Sequence, residues 1–142
     1  MRCRWECVNL RTVGAILYWC EGSKRERDRR LEFVNSDPMM ISVFMKYIRA
    51  MGVNEKRVRA RITIHAQDDE ALTKGYWKKV TELDGSNFLP TLVRSGSLSK
   101  KPLPHGTLTV RYNSIAFLRE VKRDISDLEE KLLSGPNPAR RT

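Results

Sequence analysis

The sequence predicts an α+β domain, an antiparallel sheet with helices on one face and a basic face opposite. Three observations predict it. Segments with apolar residues at helical spacing are interleaved with short segments of strict two-residue alternation. Acids collect in the helical segments near residue 70 and near the C-terminus. The alternating segments are nearly free of them: between Pro38 and Gln67 the only acid is Glu55, and between Ser86 and Ser114 there is none.

A chain of 142 residues is one domain of ordinary size, and 40% hydrophobic residues are enough for a real core. The pattern reads as an N-terminal extension over 1–9, a folded domain over 10–133 and a disordered tail over 134–142. No stretch approaches the uninterrupted apolar run of a membrane-spanning helix. The opening MRCRWECVNLR is charged and lacks a signal-peptide core, so the expected compartment is cytoplasmic. Cys3, Cys7 and Cys20 cannot all pair within one chain. Cys3 and Cys7 have no further Cys or His nearby to complete a zinc site, so free thiols are expected.

The run RTVGAILYWCEG from Arg11 to Gly22 is nearly continuous apolar, which suits a buried helix better than a strand, with Gly22 as its end. GSKRERDRR and LEFVNS read as a short hairpin whose first arm is charged, Leu31 and Phe33 alternating with Glu32 and Val34. Asp37-Pro38 is a helix start, with Ile41, Phe44, Met45 and Ile48 on one face and Gly52 closing it. Asp68 or Asp69 caps a helix through Leu83, with Leu72, Tyr76, Val80 and Leu83 as its buried side. FLPTLV reads as a strand with Pro90 at its start or on an edge, and RSGSLSKKPLPHG as a flexible basic loop. In TLTVRYN, Leu108, Val110 and Tyr112 face one way and Thr107, Thr109, Arg111 and Asn113 the other. Ser114 caps a last helix whose stripe Leu118, Val121, Ile125, Leu128 and Leu132 is a core face or, as a minority reading, a dimer contact.

KRVRARITIHA is the most informative segment. Val58, Ala60, Ile62 and Ile64 alternate with Arg57, Arg59, Arg61, Thr63 and His65. A two-residue period puts the apolar set on one face and the basic set on the other. Arginines at this spacing step by about 7 Å, close to the distance between successive phosphates on one DNA strand. The net charge of +10 points the same way, to a polyanion: nucleic acid first, an anionic membrane surface second. The plainer reading is a solvated strand face on a generic basic protein. His65 and His105 are isolated and read as surface residues. Trp77 and Tyr76 read as core or a lid over it.

VGAILYWCEGSK, with Glu21-Gly22 at its end, resembles the helix motif of the LAGLIDADG homing-endonuclease family. EFVNSDPMMISVFMKYIRAMGV, FLPTLVRSG and GTLTVRYNS follow in the order seen in a group of small prokaryotic LAGLIDADG-like proteins. The resemblance covers roughly residues 10 to 120. It implies a saddle-shaped αββαββα fold whose sheet enters the DNA major groove. One motif per chain implies a homodimer on a two-fold symmetric site. It further implies hydrolysis of duplex DNA phosphodiesters with Mg²⁺, Glu21 being the metal ligand and catalytic carboxylate. The plainer reading of Glu21 is a carboxylate near a helix end, or one paired to Lys24 or Arg25.

The DNA-binding candidates are Lys24, Arg25, Arg27 and Arg30 in the first basic stretch, and Arg57, Arg59, Arg61 and Thr63 on the central strand. Arg94, Lys100, Lys101, Thr109 and Arg111 complete the set. The alternatives to an endonuclease are a catalytically silent DNA-binding or regulatory module and a maturase-like RNA-binding protein.

Overall fold

The computed structural model describes residues 9–95 and 103–134. Cys3, Cys7, Lys100, Lys101 and the 134–142 tail beyond Ser134 lie outside these residues. The elements run α1 (Leu10–Glu21), β1 (Leu31–Asn35), α2 (Pro38–Ala50), β2 (Val58–His65), α3 (Glu70–Thr81), β3 (Leu92–Arg94), β4 (Thr107–Tyr112) and α4 (Ile115–Leu133). Single turns of 3-10 helix, Glu55–Arg57 and Gly85–Asn87, lead toward β2 and β3.

The class is α+β, and the four strands form one open sheet in the order β1-β4-β2-β3. β4 runs antiparallel to both β1 and β2, but β3 lies parallel to β2, so the sheet is mixed rather than antiparallel. The cause is α3. A helix between β2 and β3 carries the chain back to the starting end, and the second strand then enters parallel to the first.

The expected hairpin before β1 is also absent. Asp28 accepts from Ser23 Oγ at 2.6 Å and from the Arg25 amide at 2.9 Å. A side chain that takes up backbone donors in this way competes with a strand ladder. Residues 24–30 are therefore a braced turn. Only Gly22 bridges to Phe33, and the Ser23 amide donates to the Glu32 carbonyl. The expected order αββαββα gives way to α-β-α-β-α-β-β-α.

Period two is obeyed on β2: Val58, Ala60, Ile62 and Ile64 are buried and the residues between them half-buried. Leu31, Phe33, Leu108, Val110 and Tyr112 join the same core, together with Tyr18, Phe44, Ile48, Trp77, Val121 and Ile125 from the helices. All four helices thus cover one face of the sheet. Asp37 caps α2 through Met39 N, Asp69 caps α3 through Leu72 N, and Ser114 caps α4 through Phe117 N.

The side of α3 that the leucine spacing predicts is only partly the buried one: Leu83 is buried and Tyr76 and Val80 pack against the core, but Leu72 does not. Leu72 is 73% exposed, and Thr73, Trp77 and Thr81 are buried instead. The threonines tolerate burial because their hydroxyls donate to carbonyls four residues back, Asp69 and Trp77. Trp77 Nε1 donates to the His105 carbonyl at 2.8 Å, so the largest side chain of the core is also satisfied. On α4 the stripe is buried through Ile125, half-buried at Leu128 and exposed at Leu132. No helix among the described residues is long and apolar enough to cross a membrane.

Candidate nucleic-acid interface

The face of the sheet away from the helices carries Glu32 and Val34 from β1, Arg59, Arg61, Thr63 and His65 from β2, and Thr107, Thr109 and Arg111 from β4. Register brings the basic residues together. Arg111 stands directly opposite Arg59 on one side and Glu32 on the other; Thr109 stands between Arg61 and Val34. Neighbouring strands are about 4.8 Å apart, so Arg59, Arg61 and Arg111 form one patch rather than a single line.

Arg111 Nε donates to Glu32 Oε2 at 3.2 Å, and Arg30 Nε donates to the same oxygen at 3.2 Å. Burial lowers the Arg111 pKa from its ordinary value. Glu32 opposes that shift, and Arg30 and Arg61 add to it. Arg59 donates from Nη1 to the Lys56 and Val58 carbonyls, which holds its guanidinium at the strand's start. Arg61 Nε is covered and has no hydrogen-bond partner among the described residues.

Three candidates sit apart from this patch. Arg57 is in the 3-10 turn before β2, where it donates to the Asn113 carbonyl and lies 5.3 Å from the centroid of the Tyr112 ring. It therefore does not continue the row of Arg59 and Arg61. Thr109 has the right register but is only 8% exposed, so it offers little contact surface. Arg94 is exposed on β3, opposite His65 at the far edge. Thr63 is half-buried on the open face beside Leu92 and Thr107.

Lys24, Arg25, Arg27 and Arg30 are all exposed in the turn before β1. Tyr18 anchors that turn from below. Its hydroxyl donates to the Ser23 carbonyl at 2.6 Å and accepts from the Glu32 amide at 3.3 Å. Gly22 permits the approach, because a Cβ there would overlap the Tyr18 ring. Lys24 donates back to the Gly22 carbonyl, and Arg25 pairs with Asp28.

Glu21 is exposed at the end of α1. Among the described residues no three His, Cys, Asp or Glu side chains gather as ligands for a metal ion. The described residues of one chain therefore bring no further ligand set to Glu21. The small residues of α1 are used within the chain. Gly14 and Ala15 are buried, and a Cβ on Gly14 would fall inside the Tyr47 ring of α2. Cys20 is an exposed free thiol.

Sequence reasoning missed Glu32 as the carboxylate that joins the turn to the sheet. Its outward parity between Leu31 and Phe33 was the available signal; its partners depend on the β1-β4 register, which only the fold supplies. Compared with known protein families, curated proteins and solved structures, the chain matches none.

Proposed function

We propose that this chain binds duplex DNA through the open face of its sheet, as a LAGLIDADG-like domain. The observation that carries the reading is the patch of Arg59, Arg61 and Arg111 on the sheet face that no helix of the described residues covers. Guanidinium groups fixed on a rigid sheet neutralise phosphates and release counterions, and they also form bidentate contacts with guanine. The open sheet departs from the αββαββα order of the resemblance, so the assignment rests on the ordered sequence blocks and on this face.

Hydrolysis is a separate function. Glu21 is the residue that matches the motif's carboxylate, and the described residues of one chain do not gather a metal centre there. Cleavage would require the Glu21 carboxylates of two chains to meet.

Selection of bound sequences from a random duplex pool tests the reading. The expected result is enrichment of duplexes, with a two-fold symmetric consensus if two chains bind together. Failure to retain duplex while retaining structured RNA would replace it with the maturase-like alternative. Incubation of the selected duplex with Mg²⁺ or Mn²⁺ then asks for cleavage, and intact duplex leaves a binding module.

A further inference from the structure

We infer that a duplex lying on the sheet face runs on into a second, arginine-lined groove between residues 25–30 and the start of α4. The inference rests on the reading of the sheet as a duplex platform and extends its footprint.

Two cavities of about 900 Å³ and 510 Å³ lie here, and they share Arg27, Asp28, Arg29 and Ile115 as walls, so they adjoin as one basic groove. Six cations line it: Arg25, Arg27, Arg29 and Arg30 from the turn, and Arg119 and Lys122 from α4. Three acids line it too, but two are already engaged. Asp28 is held by Ser23 and Arg25, and Glu32 by Arg30 and Arg111. Arg27, Arg29 and Arg119 make no ion pair among the described residues. Three guanidiniums without an ion-pair partner give the groove a positive potential, and a chain of phosphates is an anion that contacts several of them at once.

Position favours the duplex already on the sheet over a free phosphate compound. Arg30 lines the groove and Arg111 lies on the sheet face, yet both donate to the same Glu32 oxygen at 3.2 Å. The two basic surfaces therefore meet at Glu32. An eight-residue strand such as β2 spans about 27 Å, the length of about eight base pairs. A duplex of that length is held by the sheet alone, and a longer one reaches the groove.

The test is fluorescence anisotropy with the full chain, its R27A/R29A and R27K/R29K variants, and duplexes of about 8, 16 and 24 base pairs. Arg27 and Arg29 are exposed, and thermal melts check that the variants fold. The wild type is expected to gain affinity beyond the shortest duplex. R27A/R29A should lose that gain and show a salt slope smaller by about 1.8 on the longer duplexes. R27K/R29K should restore most of the gain. Inorganic pyrophosphate is titrated as the probe for a free phosphate ligand. If it binds the wild type but not R27A/R29A while duplex length has no effect, the groove serves a small phosphate compound and the inference is overturned. If R27A/R29A changes neither readout while R59A/R61A weakens all duplexes, the groove is idle and the sheet reading survives. If the wild type binds no duplex of any length, both readings fall.

Discussion

Glu32 on β1 and Arg111 on β4 stand directly opposite each other, and one Glu32 oxygen takes the Nε of Arg111 and of Arg30, each at 3.2 Å. A single carboxylate thus holds two guanidiniums that would otherwise repel, and Arg59 lies across β4 from the same arginine. The side chains of Glu32 and Arg111 are 20% and 19% exposed, so water screens the pair only in part. If the face meets phosphates as proposed, an acid within it lowers affinity while it steadies the free protein. Glu32→Gln is therefore expected to lower stability by about 1 kcal/mol and to raise duplex affinity roughly fivefold. Thermal melts and anisotropy titrations on the same preparation check both signs; a variant that loses affinity would show that Glu32 contacts the DNA.

Tyr18→Phe removes the hydroxyl that joins α1 to the turn. That group donates to Ser23 and accepts from the Glu32 amide, so the expected cost is about 1–3 kcal/mol by denaturant titration. The wild type also carries a pH signature. Burial raises the Tyr18 hydroxyl from 10.0 to about 12. With the folded value above the unfolded one, the stability held by the neutral phenol is complete below about pH 10 and is lost as pH rises toward about 12. The phenylalanine variant should show a flatter stability curve across that window.

Gly14→Ala separates two roles for α1. A Cβ at this position overlaps the Tyr47 ring of the same chain, so the variant should be destabilised by about 1–3 kcal/mol or more through overpacking. The effect should be independent of protein concentration. A destabilisation that grows on dilution would instead place Gly14 at an interface between two chains.

Trp77→Phe removes the donor to the His105 carbonyl and leaves that carbonyl for water. A drop of about 1–3 kcal/mol in a urea melt is expected, together with faster amide exchange around residues 103–106. Unchanged exchange there would show that the bond does not hold the segment before β4.

Local chemistry makes much of this fold readable. Asp37-Pro38 starts α2 because a carboxylate caps and a proline fits the first turn. The alternation at Val58–Ile64 buries as written because the run itself is unbroken in its period. Readability fails where the outcome depends on a partner distant in sequence. Leu72 has the spacing of a core residue, yet Trp77 takes the inward side of α3 because the His105 carbonyl satisfies its indole. Residues 24–30 have the charge pattern of a strand arm, but Asp28 diverts their backbone into a turn. The basic face is legible residue by residue on β2. Its second half is not, since the meeting of Arg111 with Arg59 and Glu32 is a matter of register. Arg57 shows the converse: correct parity in the sequence, and a 3-10 turn that carries it out of the row.

The most direct measurement is the salt dependence of binding to a short duplex, compared between the wild type and R59A/R61A. Both arginines lie on the face that no helix of the described residues covers, so the double variant should keep its fold, which a thermal melt checks. The expected result is a weaker complex whose slope of log K against log salt is smaller by about 1.8, the change for two phosphates that the protein no longer neutralises. An unchanged affinity and slope would contradict the assignment of the sheet face to DNA.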